Sequence, residues 1–293
     1  MTVFIQYLVN GLSMGRVYAI IALGYTMVYG IAKMLNFAHG DVIMVGAYVS
    51  FCATSYLGLP GWASVILSCA VCTVLGVLIE GLAYKPLRQA GPLAVLITAI
   101  GVSYFLQNAA QLLWGATPKN FTSLVTFQVP EFLAKYNVSA VSLVTIVACL
   151  VIMAGLVFFT GKTKMGKAMR AVSEDKDAAT LMGISVDRTI TLTFAIGSAL
   201  AAFASLFYGM TYVYIKPTTG AMPGIKAFTA AVFGGIGSIP GAMLGGILLG
   251  LIEQMSKTYI STLWADAIVF AVLVVVLVVK PTGLLGKPMQ EKV

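Results

Sequence analysis

Stretches of about 20 mostly apolar residues follow one another from near the first residue to near the last, and that succession constrains this chain more than any other feature. At about 1.5 Å of rise per residue, such a run crosses the ~30 Å hydrocarbon core of a bilayer as a helix. The expected fold is therefore an all-α, polytopic membrane protein, one transmembrane domain over residues 1–293. Eight spans are expected, at about Val3 to Ile31, Val42 to Leu57, Trp62 to Tyr84, Pro92 to Trp114, Val138 to Thr160, Ile190 to Tyr214, Gly241 to Met255 and Trp264 to Val279. A further apolar stretch, Ile225 to Ile236, is too short for an ordinary crossing and reads as a broken segment. The first run lacks a basic leader and a small-residue cleavage pattern, so it is read as a retained helix.

Composition excludes the main rivals. The chain is 59% hydrophobic and 10% charged, with mean hydropathy +0.96, where soluble domains carry about 25% charged residues. A soluble enzyme is ruled out, and so is disorder, which needs low hydrophobicity and dense charge. The net charge of +8 would elsewhere suggest nucleic acid, but in a membrane protein it can record orientation. Twelve of the eighteen Lys and Arg fall on one side if the segment Gly161 to Arg188 and the tail with Lys280, Lys287 and Lys292 are cytoplasmic. Lys33, Lys85 and Arg88 then lie inside as well. Lys119, Lys135, Lys216, Lys226 and Lys257 fall outside, Arg16 lies within the first span, and the N-terminus is outside. Trp62, Trp114 and Trp264 land at the outer span ends, where amphipathic rings settle. Crossing by Ile225 to Ile236 keeps both basic segments inside. No nucleic-acid partner is needed.

Several motifs look like chemistry. The run Gly161 to Ala168 nearly matches a phosphate-binding loop, but Ala168 replaces the hydroxyl that would hold Mg²⁺, and the run follows a membrane span, not a strand. Cys69 and Cys72 have redox or zinc spacing without a second pair, and read as packing residues. The single histidine, His39, stands in the run Asn36 to Asp41, NFAHGD. Metal binding would want more ligands. Two readings stay open: Asn36 or Asp41 caps a helix, or these polar groups line a transport path, since ionisable residues at membrane depth usually face a cavity. Gln107, Asn108 and Gln111 form a polar stripe suited to interhelical hydrogen bonds or to substrate. Asn120 and Asn137 open formal glycosylation sequons, meaningful only in a secretory host.

Between Gly220 and Gly250 glycines recur, and Pro223, Gly234, Gly235, Gly237, Pro240 and Gly241 interrupt one long apolar pattern. The pairs Gly241 with Gly245 and Gly246 with Gly250 let backbones approach. Broken segments also mark translocation pathways, and both packing and pathway remain open.

In the central loop, Ser173 reads as an N-cap, Glu174 and Asp175 suit the positive end of a helix dipole, and Gly183 suits a left-handed C′ position. The short helix between them carries Ala178, Leu181 and Met182 on one apolar face, with Ala179 keeping the adjoining surface small. It suits a groove on a soluble partner or an interfacial position.

The run Asp177 to Gly183, DAATLMG, resembles the E-A-A-x-x-x-G motif by which ABC importer permeases dock on their ATPase, with Asp177 in place of Glu. The chain as a whole resembles the branched-chain amino acid permeases of the LivH type. The resemblance runs through NGLS from Asn10, ALGYTMVYG from Ala22, NFAHGD from Asn36, AIG from Ala99, MGKAMRA from Met165, KAFTAAVFGGIGSIPGA from Lys226 and PTGLLG from Pro281. It implies the ABC importer permease fold and a non-catalytic subunit of a bacterial inner membrane with a cytoplasmic C-terminus. It also implies a homologous second permease, two ATPase subunits that hold ATP and Mg²⁺, and a periplasmic amino-acid-binding protein. No cofactor, metal or catalytic residue is expected on this chain. The expected cargo is leucine, isoleucine and valine. Asn36, His39, Asp41, Phe228 and Gly234 are the expected path-lining residues. Gly166, Arg170, Glu174, Asp177, Ala178, Ala179 and Gly183 would belong to a coupling loop over 161–189. A permease for urea or short amides shares much of this pattern, and a stand-alone channel or secondary carrier is a further alternative. A membrane enzyme would need a convergent acid, base and nucleophile, which no span offers beyond His39 and Asp41.

Overall fold

A computed structural model describes residues 2–88, 90–125 and 139–286. Lys135, Asn137, Lys287 and Lys292 lie outside the described residues. Each expected apolar run is a helix: α1 (Thr2–Ala32), α2 (His39–Ser55), α3 (Gly61–Ile79), α4 (Pro92–Trp114), α5 (Ala140–Lys162), α8 (Val186–Tyr212), α10 (Ile239–Tyr259) and α11 (Ala265–Val279). Between α5 and α8 lie α6 (Lys164–Glu174) and α7 (Lys176–Leu181), and the broken segment is α9 (Ala221–Gly234). Six of these helices are long and apolar enough to cross a membrane; α2, α9 and α11 have 17, 14 and 15 residues. The only strands among the described residues, β1 (Lys119–Asn120) and β2 (Tyr214–Ile215), pair antiparallel.

The core is built around α1, whose residues Val17 to Leu23 are nearly all inaccessible. Glycines set its spacing to α10. A Cβ on Gly250 would fall on the backbone of Gly15, and one on Gly246 on Ala19. On the next face of α10, Gly245 meets Ala230 and Gly241 meets Gly234, so α10 has two small-residue seams, one for α1 and one for α9. Close approach of this kind replaces the hydrophobic drive that lipid removes. Gly241, Gly245, Gly246 and Gly250 thus serve close packing.

The basic central loop and the exposed tryptophans lie at opposite ends. Lys176 Nζ donates to the Ala32 carbonyl at 3.4 Å and Arg88 contacts Asp187, which gathers the ends of α1, α3 and α8 with the central loop. Trp62 and Trp264 are exposed at the other end of their helices. The broken segment passes from one end toward the other. Gly220, which follows β2, packs on Gly40, whereas Leu285 beyond α11 donates its N–H to the Gly234 carbonyl at 2.9 Å. At about 21 Å, α9 is too short to cross a bilayer alone, and irregular residues 216–220 precede it.

Two expectations are corrected here. Lys226, counted as an external charge, is 6% exposed inside the bundle. Ser173 is not an N-cap: it lies within α6 and its hydroxyl donates back to the Arg170 carbonyl at 2.7 Å. Asp175 caps α7 instead, accepting from the N–H groups of Asp177 and Ala178 at 3.0 Å.

Candidate functional site

Residues 33–38 carry the chain from the end of α1 back into the bundle, so α2 begins beside Gly24, two turns above the end of α1. A Cβ on Gly24 would lie 2.6 Å from His39 Nε2, which is why glycine stands there. The His39 ring is 1% exposed, meets Tyr25 edge-on at 4.6 Å, and neither ring nitrogen has a hydrogen-bond partner among the described residues. Tyr25 packs on Phe228 at 5.9 Å, and Phe228 on Phe37 at 5.8 Å. The Tyr25 hydroxyl is likewise buried without a partner.

Neither Asn36 nor Asp41 caps α2, because tertiary partners take both side chains. Asn36 Oδ1 accepts from the Tyr84 hydroxyl at 3.0 Å, tying the re-entering loop to the end of α3. Asp41 Oδ1 accepts from Gln107 Nε2 of α4 at 2.9 Å. Asn36, His39, Asp41 and Phe228 thus gather where the first turns of α2 and α9 meet. Gly234 does not join them. It closes α9 about 9 Å further along the axis, against Gly241 and the backbone of residues 284–285. Spacing pointed to Gln107; nothing in it pointed to Tyr25 or Tyr84, which join through contacts distant in sequence.

The central loop is a folded unit. Thr163 caps α6 through a 2.9 Å bond from the Gly166 N–H, and a Cβ on Gly166 would fall on the backbone of Phe159 and Thr160, so the phosphate-loop lookalike is a tight helix-to-helix turn. Arg170 donates to the Gly161 carbonyl at 3.2 Å at the end of α5. Met169 and Val172 anchor α6 in the core, and Ala179 anchors α7. Glu174, Asp177 and Ala178 are exposed. Gly183, at φ +79°, stops the helix in the left-handed region that glycine adopts without cost. This arrangement presents Leu181 and Met182, 88% and 81% exposed, at the basic end of the molecule.

Behind the loop, Asp187 at the start of α8 pairs with Arg88 and with Lys85 at 3.0 Å, and Arg88 also pairs with Glu80. Glu80 lies in a π-helical turn and accepts from the Thr191 hydroxyl at 2.7 Å. The exit of the loop is therefore fastened to α3.

A sequence profile described as branched-chain amino acid transport system, permease component, matches residues 7–277. The chain is 45% identical to the high-affinity branched-chain amino acid transport permease LivH of Escherichia coli, over 99% of this chain and 98% of that protein. It is 44% identical, with the same coverage, to BraD of Pseudomonas aeruginosa, described likewise. It is also similar to LivM of Salmonella typhimurium, at 26% identity over 93% of this chain and 68% of that one.

Proposed function

Because this chain belongs to the family of branched-chain amino acid transport permease components, we propose that it is the membrane-spanning subunit of an ATP-driven importer for leucine, isoleucine and valine. The end-to-end likeness to LivH and BraD supports that cargo over urea or short amides. The chain sits in a bacterial inner membrane with the basic end and the C-terminus in the cytoplasm. It performs no chemistry itself. ATP and Mg²⁺ act on two ATPase subunits, a periplasmic binding protein delivers the amino acid, and a homologous second permease supplies the other half of the path. A protein of the LivM kind, itself related to this chain, fits that place.

The observation that carries the reading is the exposed pair Leu181 and Met182 on a helix whose base is buried. Two large apolar side chains held out from the basic end fit a cleft on a soluble subunit, and the cap at Asp175 and the turn at Gly183 fix their direction. Residues Gly166 to Gly183 then pass ATPase motion to α8, and through the Asp187–Arg88–Glu80 contacts to α3. The path between the permeases runs past Asn36, His39, Asp41 and Phe228. Gly234, in its packed position, supports the short helix that carries Phe228.

Reconstitution tests this. The complete complex with loaded binding protein takes up labelled leucine when ATP is present, and does not take up labelled urea. Uptake by this chain alone, without ATPase subunits, would instead make it a channel or a secondary carrier.

A further inference from the structure

Three carboxylates are buried among the described residues: Asp41, Glu80 and Glu253. Glu80 pairs with Arg88, and Glu253 with Lys226 at 2.8 Å and Lys257 at 2.6 Å. Asp41, 1% exposed, has no Lys or Arg within ion-pair distance among the described residues. A charge taken out of water is costly unless paired, and an ionisable group at membrane depth calls for a named partner. Its hydrogen-bond partners are neutral: Ser103 and the amide of Gln107, which also donates to the Ser103 hydroxyl at 3.2 Å. Neither neutral group supplies the missing positive charge.

The surroundings point to a ligand. Helices α2 and α4 run parallel and in register here. Asp41 meets Gln107, and seven residues on in both helices Tyr48 stacks on Trp114 at 4.6 Å. Tyr48 is fully buried, yet its hydroxyl has no partner among the described residues. Between these two levels the seam is apolar, with Val45 on α2 and Ala110 on α4. It thus combines an uncompensated carboxylate, an unspent hydroxyl and an apolar stretch between them. The cover is thin: Gln107 is only half-buried, and α4 is exposed at Tyr104, Phe105, Leu112 and Leu113.

We infer that Asp41 receives the α-ammonium group of the amino acid during its passage, in the seam between α2 and α4. The inference rests on the importer reading and gives one path residue a specific task. The missing cation comes with the cargo. Separation of α4 from α2 would admit it, with Gln107 releasing the carboxylate to the ammonium.

The test uses the complete complex in proteoliposomes with saturating loaded binding protein. Asp41→Asn keeps the shape and the acceptor for Gln107 but removes the charge. ATP-dependent leucine uptake is expected to fall roughly ten- to a hundredfold, as for loss of a hydrogen bond to a charged group. Asp41→Glu is expected to retain more uptake than Asp41→Asn. The melting temperature of the Asp41→Asn complex is expected to stay level or rise, because the resting protein loses an uncompensated charge. Wild-type uptake in sodium-free buffer is expected to be unchanged. Normal uptake by Asp41→Asn would overturn the inference, and so would a drop in melting temperature that parallels the loss of uptake, which would make Asp41 a structural anchor. Dependence of uptake on sodium would also overturn it, assigning the site to an inorganic cation. Failure of the wild-type complex to take up leucine at all would instead refute the importer reading beneath it.

Discussion

Lys226 of the short helix α9 donates to Glu253 of α10 at 2.8 Å, and both side chains are buried. Lys226 also reaches Asp266 at the start of α11 at 2.7 Å, while Lys257 meets the same Glu253 oxygen from one turn away. One lysine therefore pins the broken segment to two other helices, α10 and α11. Glu253→Ala leaves Lys226 only the half-exposed Asp266 as a partner and is expected to cost about 3 kcal/mol, the low end for breaking a buried pair. Lys257→Ala removes a partly exposed i,i+4 contact, expected to be worth about 0.5 kcal/mol. Chemical or thermal unfolding in detergent compares the two, and equal losses would contradict the assignment.

Gly24 and His39 form a second coupled pair. Gly24→Ala places a methyl 2.6 Å from His39 Nε2, an overpacking expected to cost about 1–3 kcal/mol. In a His39→Ala background the same change should cost much less, since the ring it strikes is gone. A double-mutant cycle on unfolding free energy measures the difference, and additive costs would show that the ring does not oppose Gly24.

Arg88 and Lys85 both contact Asp187, but in different settings. Arg88 is mostly covered and also meets the buried Glu80, whereas the Lys85 and Asp187 side chains are 52% and 57% exposed. Lys85→Ala is expected to change stability by less than about 1 kcal/mol. Arg88→Ala leaves Glu80 buried without a cation and should cost about 3 kcal/mol or more. If Lys85→Ala proved the more damaging, Asp187 and not Glu80 would be the centre of this contact.

How far the sequence reached follows from what each feature depends on. The helices were legible because an apolar run is a local property that lipid leaves no freedom to reinterpret. The two glycine seams of α10 were legible for the same reason, since i,i+4 spacing fixes a helix face before any partner is known. Gly183 was legible because a helix stop needs a left-handed residue wherever the helix packs. Lys226 was misplaced because its partner Glu253 lies 27 residues away on another helix, and local charge counting treats every lysine as solvated. The cap fell on Ser173 because two capping residues stand close together. The choice between them depends on where α6 ends, which Met169 and Val172 decide by burial. Asn36 and Asp41 looked like caps in isolation, and Tyr84 and Gln107 claimed them in the fold.

Gly183 has open space around its missing side chain, so a substitution there meets only backbone strain. Gly183→Val is expected to cost about 1–3 kcal/mol, felt at the turn between α7 and α8. Gly183→Asn, which tolerates the left-handed region, should cost less. The fraction of ATPase subunit retained on purification should follow the order Gly, Asn, Val. Equal retention would mean that α7 is not oriented by this turn.

The most direct measurement of the account is ATP-dependent uptake of labelled leucine by the complete complex carrying Leu181→Asp together with Met182→Asp. Both side chains are exposed in the chain, so the variant should insert and melt as the wild type does. It should nevertheless lose its ATPase subunits and with them its uptake. Uptake at the wild-type rate, with the ATPase still bound, would contradict the claim that this helix couples the permease to its motor.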